Sequence, residues 1–183
     1  RSRSYFDCAG STAQNALPDG RMAQAVTMSA GAVRATILTL GGILQSLQMP
    51  DRDGRCAEVT LGHDDIAGYL ASRNYPGAII GRTAGRIAGG RISVDGVDHQ
   101  LSCNEGTNTL HGGAQGFDRA LWRLVSANVE DGAAVLRLTH QSPAGDEGYP
   151  GALTVVATYR LDAAGLTLAL AATSDAPTPV NLT

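Results

Sequence analysis

Apolar and polar residues alternate along much of the chain, which is the pattern of strands that bury one face. The alternation is clear over residues 23–29 and again over residues 32–38. Two longer stretches, 91–101 and 121–139, each carry an Asp-Gly pair near the middle. Because Asp-Gly favours a two-residue hairpin turn, both stretches are predicted to fold as β-hairpins.

A third hairpin is predicted over residues 153–172, with its turn at 162–165. Helix signals are weak by comparison. Only residues 64–70 indicate a short helix, because two acidic residues precede it and suit the positive end of the helix dipole. The sequence therefore predicts an all-β fold, specifically an antiparallel β-sandwich.

Residues 1–183 are expected to form a single domain that is incomplete at its C-terminus, with a poorly defined N-terminal segment over 1–20. Pro177 and Pro179 interrupt any strand near the end, and 180–183 has the pattern of the first residues of a new strand. A sandwich interrupted there would expose unpaired strand edges. Self-association through sheet edges is therefore expected.

Composition narrows the classes of partner. The formal net charge is -3 and the basic residues form no cluster, so nucleic acid is not an expected partner. No apolar run approaches the roughly 20 residues that span a membrane. The three cysteines are far apart and form no C-x-x-C pair, which favours reduced structural thiols and a cytoplasmic location over a disulfide framework or a metal site.

Four segments carry most of the chemically informative residues, and they follow one another in a distinctive order. They are GRTAGRIAGG at 81–90, NTLHGG at 108–113, SPAGDEGYPG at 142–151 and TPVNLT at 178–183. Together they resemble the aldose 1-epimerase family, and the resemblance extends from about residue 41 to the end. It implies that the β-sandwich is a truncated one of the galactose mutarotase-like type.

The resemblance also implies an isomerase that interconverts the α and β anomers of free hexoses such as galactose and glucose. In this reaction a general base removes the proton of the anomeric hydroxyl while a general acid protonates the ring oxygen, so that the ring opens and recloses. No metal and no redox cofactor is implied. In the family pattern the acid is a histidine two residues after Asn-Leu-Thr, and the base is a glutamate near the C-terminus. Both are expected beyond Thr183, so the chain alone is expected to be inactive.

Two residues of the chain match sugar-binding positions of the family. His111 matches a histidine that hydrogen-bonds the sugar near its ring oxygen, which gives it a supporting catalytic role, and Arg86 matches an arginine that contacts sugar hydroxyls. Gly85 stands where the family usually has Asn, so one hydrogen bond to the sugar is expected to be missing. Trp122 and Tyr149 are candidates for an aromatic wall.

Other conspicuous residues have simpler interpretations. Arg82 is expected to form a structural ion pair, and Asp146 and Glu147 to stabilise a turn. The glycine-rich segment 81–90 lacks the pattern of a phosphate-binding loop. Three histidines share no metal-ligand spacing and are expected on the surface or in cross-strand contacts: His63, His99 and His140.

Two alternatives to a free-hexose epimerase stay open at this point. The first is a non-catalytic carbohydrate-binding or degenerate module, which the absence of the acid and base favours. The second is a hexose-6-phosphate epimerase of the same fold, which would present additional basic residues for the phosphate.

Overall fold

The structure is a computed structural model that describes residues 12–72 and 74–183. Five antiparallel strands form the first sheet, and they lie side by side in chain order. They are β1 (Thr12–Ala16), β2 (Met22–Ala30), β3 (Val33–Leu38), β4 (Leu44–Pro50) and β5 (Cys56–Glu58). Residues 12–16, part of the segment expected to be poorly defined, are thus paired with β2, while residues 1–11 lie outside the described part.

One short helix and two small strand pairs connect the first sheet to the second. Asp65 caps helix α1 (Ile66–Ala71), because its carboxylate accepts the backbone N–H of Gly68 at 2.8 Å. This is the short helix that the sequence predicts. Strand β6 (Arg86–Ile87) later pairs with β9 (Thr109–Leu110). Between them, β7 (Arg91–Val94) and β8 (Val97–Gln100) form the hairpin predicted around Asp95 and Gly96.

The second sheet has four antiparallel strands, also in chain order. They are β10 (Arg123–Glu130), β11 (Ala133–Ser142), β12 (Leu153–Asp162) and β13 (Gly165–Ser174). The turn at Asp131 and Gly132 and the turn at 163–164 join them as the two predicted hairpins. All three sequence-predicted hairpins are confirmed.

The two sheets pack face to face around one apolar core, so the predicted antiparallel sandwich is confirmed. Strand β12 buries every second residue, which is the alternation expected of a strand with one face in the core. The core is built from both sheets, with Val26, Met28 and Ile37 from the first and Leu136, Leu138, Val155 and Tyr159 from the second.

Two further observations bear on the composition-based expectations. None of the helical segments in the described part of the chain has the length and hydropathy needed to cross a bilayer. The thiols of Cys56 and Cys103 are free, while Cys8 lies outside the described residues.

Candidate functional site

His111 directly follows β9, at the point where that strand pairs with the segment leading into β6. Its backbone N–H donates to the carbonyl of Gly85 at 2.9 Å, and its Nδ1 accepts the backbone N–H of Gly85 at 3.1 Å. An Nδ1 that accepts cannot carry a proton, so the neutral ring has its proton on Nε2. The Gly85 backbone thus fixes the imidazole as an Nε2–H donor.

Arg86 lies in β6, opposite Leu110 of β9. Its guanidinium forms a two-pronged pair with Glu105: Nε donates to one carboxylate oxygen at 2.5 Å and Nη2 to the other at 2.7 Å. The two side chains are 62% and 38% exposed. The hydrogen bonds between them lower the pKa of Glu105 and raise the pKa of Arg86.

The pairing of β6 with β9 places Arg86 and His111 on neighbouring segments of the chain. The carboxylate of Glu105 bonds Arg86 directly, and Arg86 lies opposite Leu110, the residue before His111, in the β6–β9 pair. The ring of Tyr75 meets the His111 ring edge to face, with centroids 4.9 Å apart. Sequence reasoning missed Glu105 and Tyr75, because neither lies in one of the four recognisable segments.

Two hydrogen-bond networks hold the His111 loop in place. The side chain of Asn104 donates to the carbonyls of Leu110 and Gly113 at 2.9 and 3.0 Å and accepts the N–H of Leu110 at 2.7 Å. On the other side of the loop, Glu147 accepts the backbone N–H groups of residues 114 and 115 at 2.8 and 3.1 Å. The loop is therefore fixed at both ends.

Arg82 has a structural role, as predicted, but the predicted ion pair is wrong. Its side chain is 2% exposed, and its N–H groups donate to Ser142 and Thr178 and to the carbonyls of Pro143, Pro150 and Gly151. No carboxylate in the described part of the chain lies within ion-pair distance of it. Asp146 acts through Ser142, whose hydroxyl donates to it at 2.5 Å. Burial lowers the pKa of Arg82, and the charge of Asp146 opposes that shift.

The last residues of the chain run beside the segment that leads to Arg86. The N–H of Asn181 donates to the Arg82 carbonyl at 2.9 Å, and the N–H of Ala84 donates to the Asn181 carbonyl at 2.8 Å. Thr183 exchanges two backbone hydrogen bonds with Ile80, at 2.8 and 3.3 Å. The segments 81–90, 108–113 and 178–183 therefore meet in one region of the fold.

Several sequence-based assignments change once the packing is seen. Trp122 and Tyr149 are each 1% exposed, so neither can form an aromatic wall for a ligand. His140 lies in β11, opposite Val155 of β12, as the cross-strand interpretation predicts; its ring packs 4.8 Å from that of Phe117 and 5.4 Å from that of Trp122, and burial lowers its pKa. His99 is in β8, paired with Ile92, as the cross-strand interpretation predicts.

The described residues contain no group of three or more His, Cys, Asp or Glu side chains arranged to hold a metal ion. An open cavity of about 450 Å³ lies beside the 111–116 loop, but neither Arg86 nor His111 lines it. The candidate site is instead defined by two neighbouring contacts, Arg86 with Glu105 and His111 with Tyr75.

Comparison with known proteins gives matches to aldose and galactose epimerases and mutarotases. The sequence profile of the family described as Aldose 1-epimerase matches residues 24–183. The galactose mutarotase of Bos taurus is 42% identical over 153 residues, which cover 82% of this chain and 43% of that protein. The aldose 1-epimerase of Escherichia coli (strain K12) is 38% identical over 169 residues, which cover 91% of this chain and 47% of that protein. The chain thus spans less than half the length of these relatives.

A solved structure has a similar fold. The galactose 1-epimerase from Lactobacillus acidophilus NCFM superposes with a TM-score of 0.81 at 29% sequence identity, covering 94% of this chain and 50% of that one.

Proposed function

Because the chain belongs to the aldose 1-epimerase family, we propose that its protein interconverts the α and β anomers of a free hexose by acid/base ring opening. The chain supplies the sugar-binding half of the site. The general acid and the general base are contributed by residues beyond Thr183, in the part of the relatives that this chain does not cover.

One observation carries the proposal, namely the hydrogen bond from the Gly85 N–H to Nδ1 of His111. It leaves Nε2–H as the donor, which suits an oxygen acceptor such as the ring oxygen of a sugar. Ring opening places negative charge on that oxygen until it is protonated, so a fixed donor there stabilises the transition state. Arg86, on the paired strand, offers further N–H groups to the hydroxyls.

The carboxylates beside this site are held by cations, which argues against either of them as the base. Glu105 is paired with Arg86, and Asp118 is paired with Arg119 at 3.2 Å. Burial raises the pKa of Asp118, and the nearby charge of Arg119 opposes the shift. The 183-residue chain is therefore proposed to bind a sugar without turning it over.

Polarimetry on freshly dissolved α-galactose or α-glucose tests the proposal. The full-length gene product that contains this chain is expected to accelerate the decay of optical rotation, and the 183-residue chain is not. His111→Ala is expected to lower kcat/KM of the full-length protein by at least about 100-fold, because a donor to the developing oxyanion is lost.

His99→Ala is the matched control, because His99 lies in the β7–β8 hairpin, outside the candidate site. Unchanged kcat/KM in the His111 variant would remove His111 from the site. Robust turnover by the 183-residue chain would show that residues beyond Thr183 are not required.

A carbohydrate-binding module is the second candidate, and the paired state of Glu105 and Asp118 favours it for the chain by itself. Binding of galactose to the full-length protein without any change in the rate of mutarotation would support it over the epimerase.

We also propose a cytoplasmic location, which the free thiols of Cys56 and Cys103 support. Fractionation of the source cells with an antibody against the chain tests it, and recovery outside the cytoplasmic fraction would contradict it.

A further inference from the structure

The pair between Arg86 and Glu105 determines which donors Arg86 can offer to a ligand. Nε–H and one N–H of Nη2 are used by the carboxylate, at 2.5 and 2.7 Å. The N–H groups of Nη1 and the second one of Nη2 remain. These can bond hydroxyl oxygens, but the edge of the guanidinium that binds an anion through Nε and Nη2 is already occupied.

The same pair cancels the positive charge of Arg86. The other cations near this site are also committed: Arg119 is paired with Asp118, and Arg82 is 2% exposed, with its donors on hydroxyl and carbonyl oxygens. In the described structure, therefore, Arg86, Arg119 and Arg82 each have donors committed to protein acceptors.

A contribution to the stability of the fold does not explain the ion pair between Arg86 and Glu105. Both side chains are substantially exposed, and exposed ion pairs contribute little to the free energy of unfolding. Both carboxylate oxygens of Glu105 bond Arg86, so the effect of Glu105 falls on the donors of that guanidinium.

We propose that Glu105 is a specificity-determining residue: it fixes the orientation of Arg86 and neutralises its charge, so that the site accepts an uncharged sugar and rejects a phosphorylated one. This rests on the proposed function, and it separates a free-hexose epimerase from a hexose-6-phosphate epimerase. Glu105 makes no contact with the reacting atoms and acts through Arg86.

Binding of galactose and of galactose 6-phosphate to the full-length gene product, measured by calorimetry, tests the proposal. The wild type is expected to prefer galactose. Glu105→Gln is expected to shift the preference towards the phosphate by about tenfold, as expected from removing one charge a few ångströms away in an exposed site. The shift is expected to shrink at high ionic strength.

Glu130→Gln is the matched control, because Glu130 forms the same kind of pair with Arg137 between β10 and β11. It is expected to leave the preference unchanged. An unchanged preference in Glu105→Gln, or an equal shift in Glu130→Gln, would overturn the proposal. Both variants are expected to melt within about 3 °C of the wild type, which excludes unfolding as the cause.

Polarimetry on the same wild-type sample keeps the two proposals apart. A wild type that binds galactose but leaves its mutarotation rate unchanged would count against the epimerase, while the binding preferences would still decide the role of Glu105.

Discussion

Gly85 has the left-handed backbone angle φ +89° directly beside His111. A Cβ atom added there would meet nothing within 4 Å, so the space for a side chain is free. The family pattern usually has Asn at this position, and Asn is among the residues that best tolerate a left-handed backbone. At the residue scale, the site therefore lacks one amide that its backbone could accommodate.

Gly85→Asn is expected to lower the KM of the full-length protein for galactose by about two- to tenfold, because one neutral hydrogen bond is regained. The left-handed backbone is expected to reduce the free energy of unfolding by about 1 kcal/mol. Polarimetric kinetics and urea unfolding measure the two effects. Gly132→Asn is the control. Gly132 also has a positive φ, 77°, and an added Cβ would likewise meet nothing within 4 Å, but it lies in the β10–β11 turn. A KM that does not fall would show that the amide does not reach the sugar.

The sequence singled out His111 and Arg86 as candidates but did not indicate their neighbours in the structure. His111 and Arg86 lie in segments with recognisable local patterns, whereas Glu105 reaches Arg86 across 19 residues of sequence. Tyr75 meets His111 across a still longer separation. Such contacts depend on how β6 and β9 pair, and no local pattern in a two-residue strand specifies that pairing.

At the scale of single elements, the turns explain why the hairpins were predictable. Asp95 and Gly96 have φ values of 52° and 79°, and Asp131 and Gly132 have values of 48° and 77°. Both pairs adopt the positive angles of a type I′ turn, which Asp-Gly favours and which fixes the register of the flanking strands. The aromatic assignments failed for the opposite reason, since the burial of Trp122 is decided by packing between sheets.

Strand β11 carries a residue that should make stability depend on pH. Burial against Phe117 and Trp122 lowers the pKa of His140 below its ordinary value of 6.5; the charge of Asp146 opposes the shift and that of Arg82 adds to it. The folded chain therefore binds this proton less tightly than the unfolded chain. The contribution of neutral His140 to the free energy of unfolding is fully present above about pH 6.5. It is lost as the pH falls from there towards the folded-state pKa.

Urea unfolding of the full-length protein between about pH 7 and about pH 5 measures this loss. His140→Phe is expected to give a smaller decrease in the free energy of unfolding over that interval, because the titrating group is gone. Equal decreases in the wild type and in the variant would assign the pH dependence to other groups.

At the scale of the whole molecule, the second sheet ends in an exposed edge. Strand β13 is the last strand of that sheet in the described structure, and residues 166–174 contain no charged side chain. Leu168 is 41% exposed on it. An uncharged, largely apolar edge can pair with another strand.

The 183-residue chain is therefore expected to self-associate, and sedimentation velocity should show species larger than the monomer. Leu168→Lys is expected to increase the monomer fraction, because a charge on an edge strand opposes pairing. Val97→Lys is the control, since Val97 is 58% exposed but lies in the separate β7–β8 hairpin. A wild-type chain that sediments as a monomer would contradict the expectation.

The buried guanidinium of Arg82 also has a consequence for the order of events during synthesis. Its acceptors Ser142 and Thr178 are 60 and 96 residues further along the chain. At a synthesis rate of about 5 to 20 residues per second, Arg82 waits about 5 to 20 seconds before the last of them has been made. During that interval the nascent segment around Arg86 lacks the anchor that holds it, so the candidate site can mature only after the strands of the second sheet have left the ribosome.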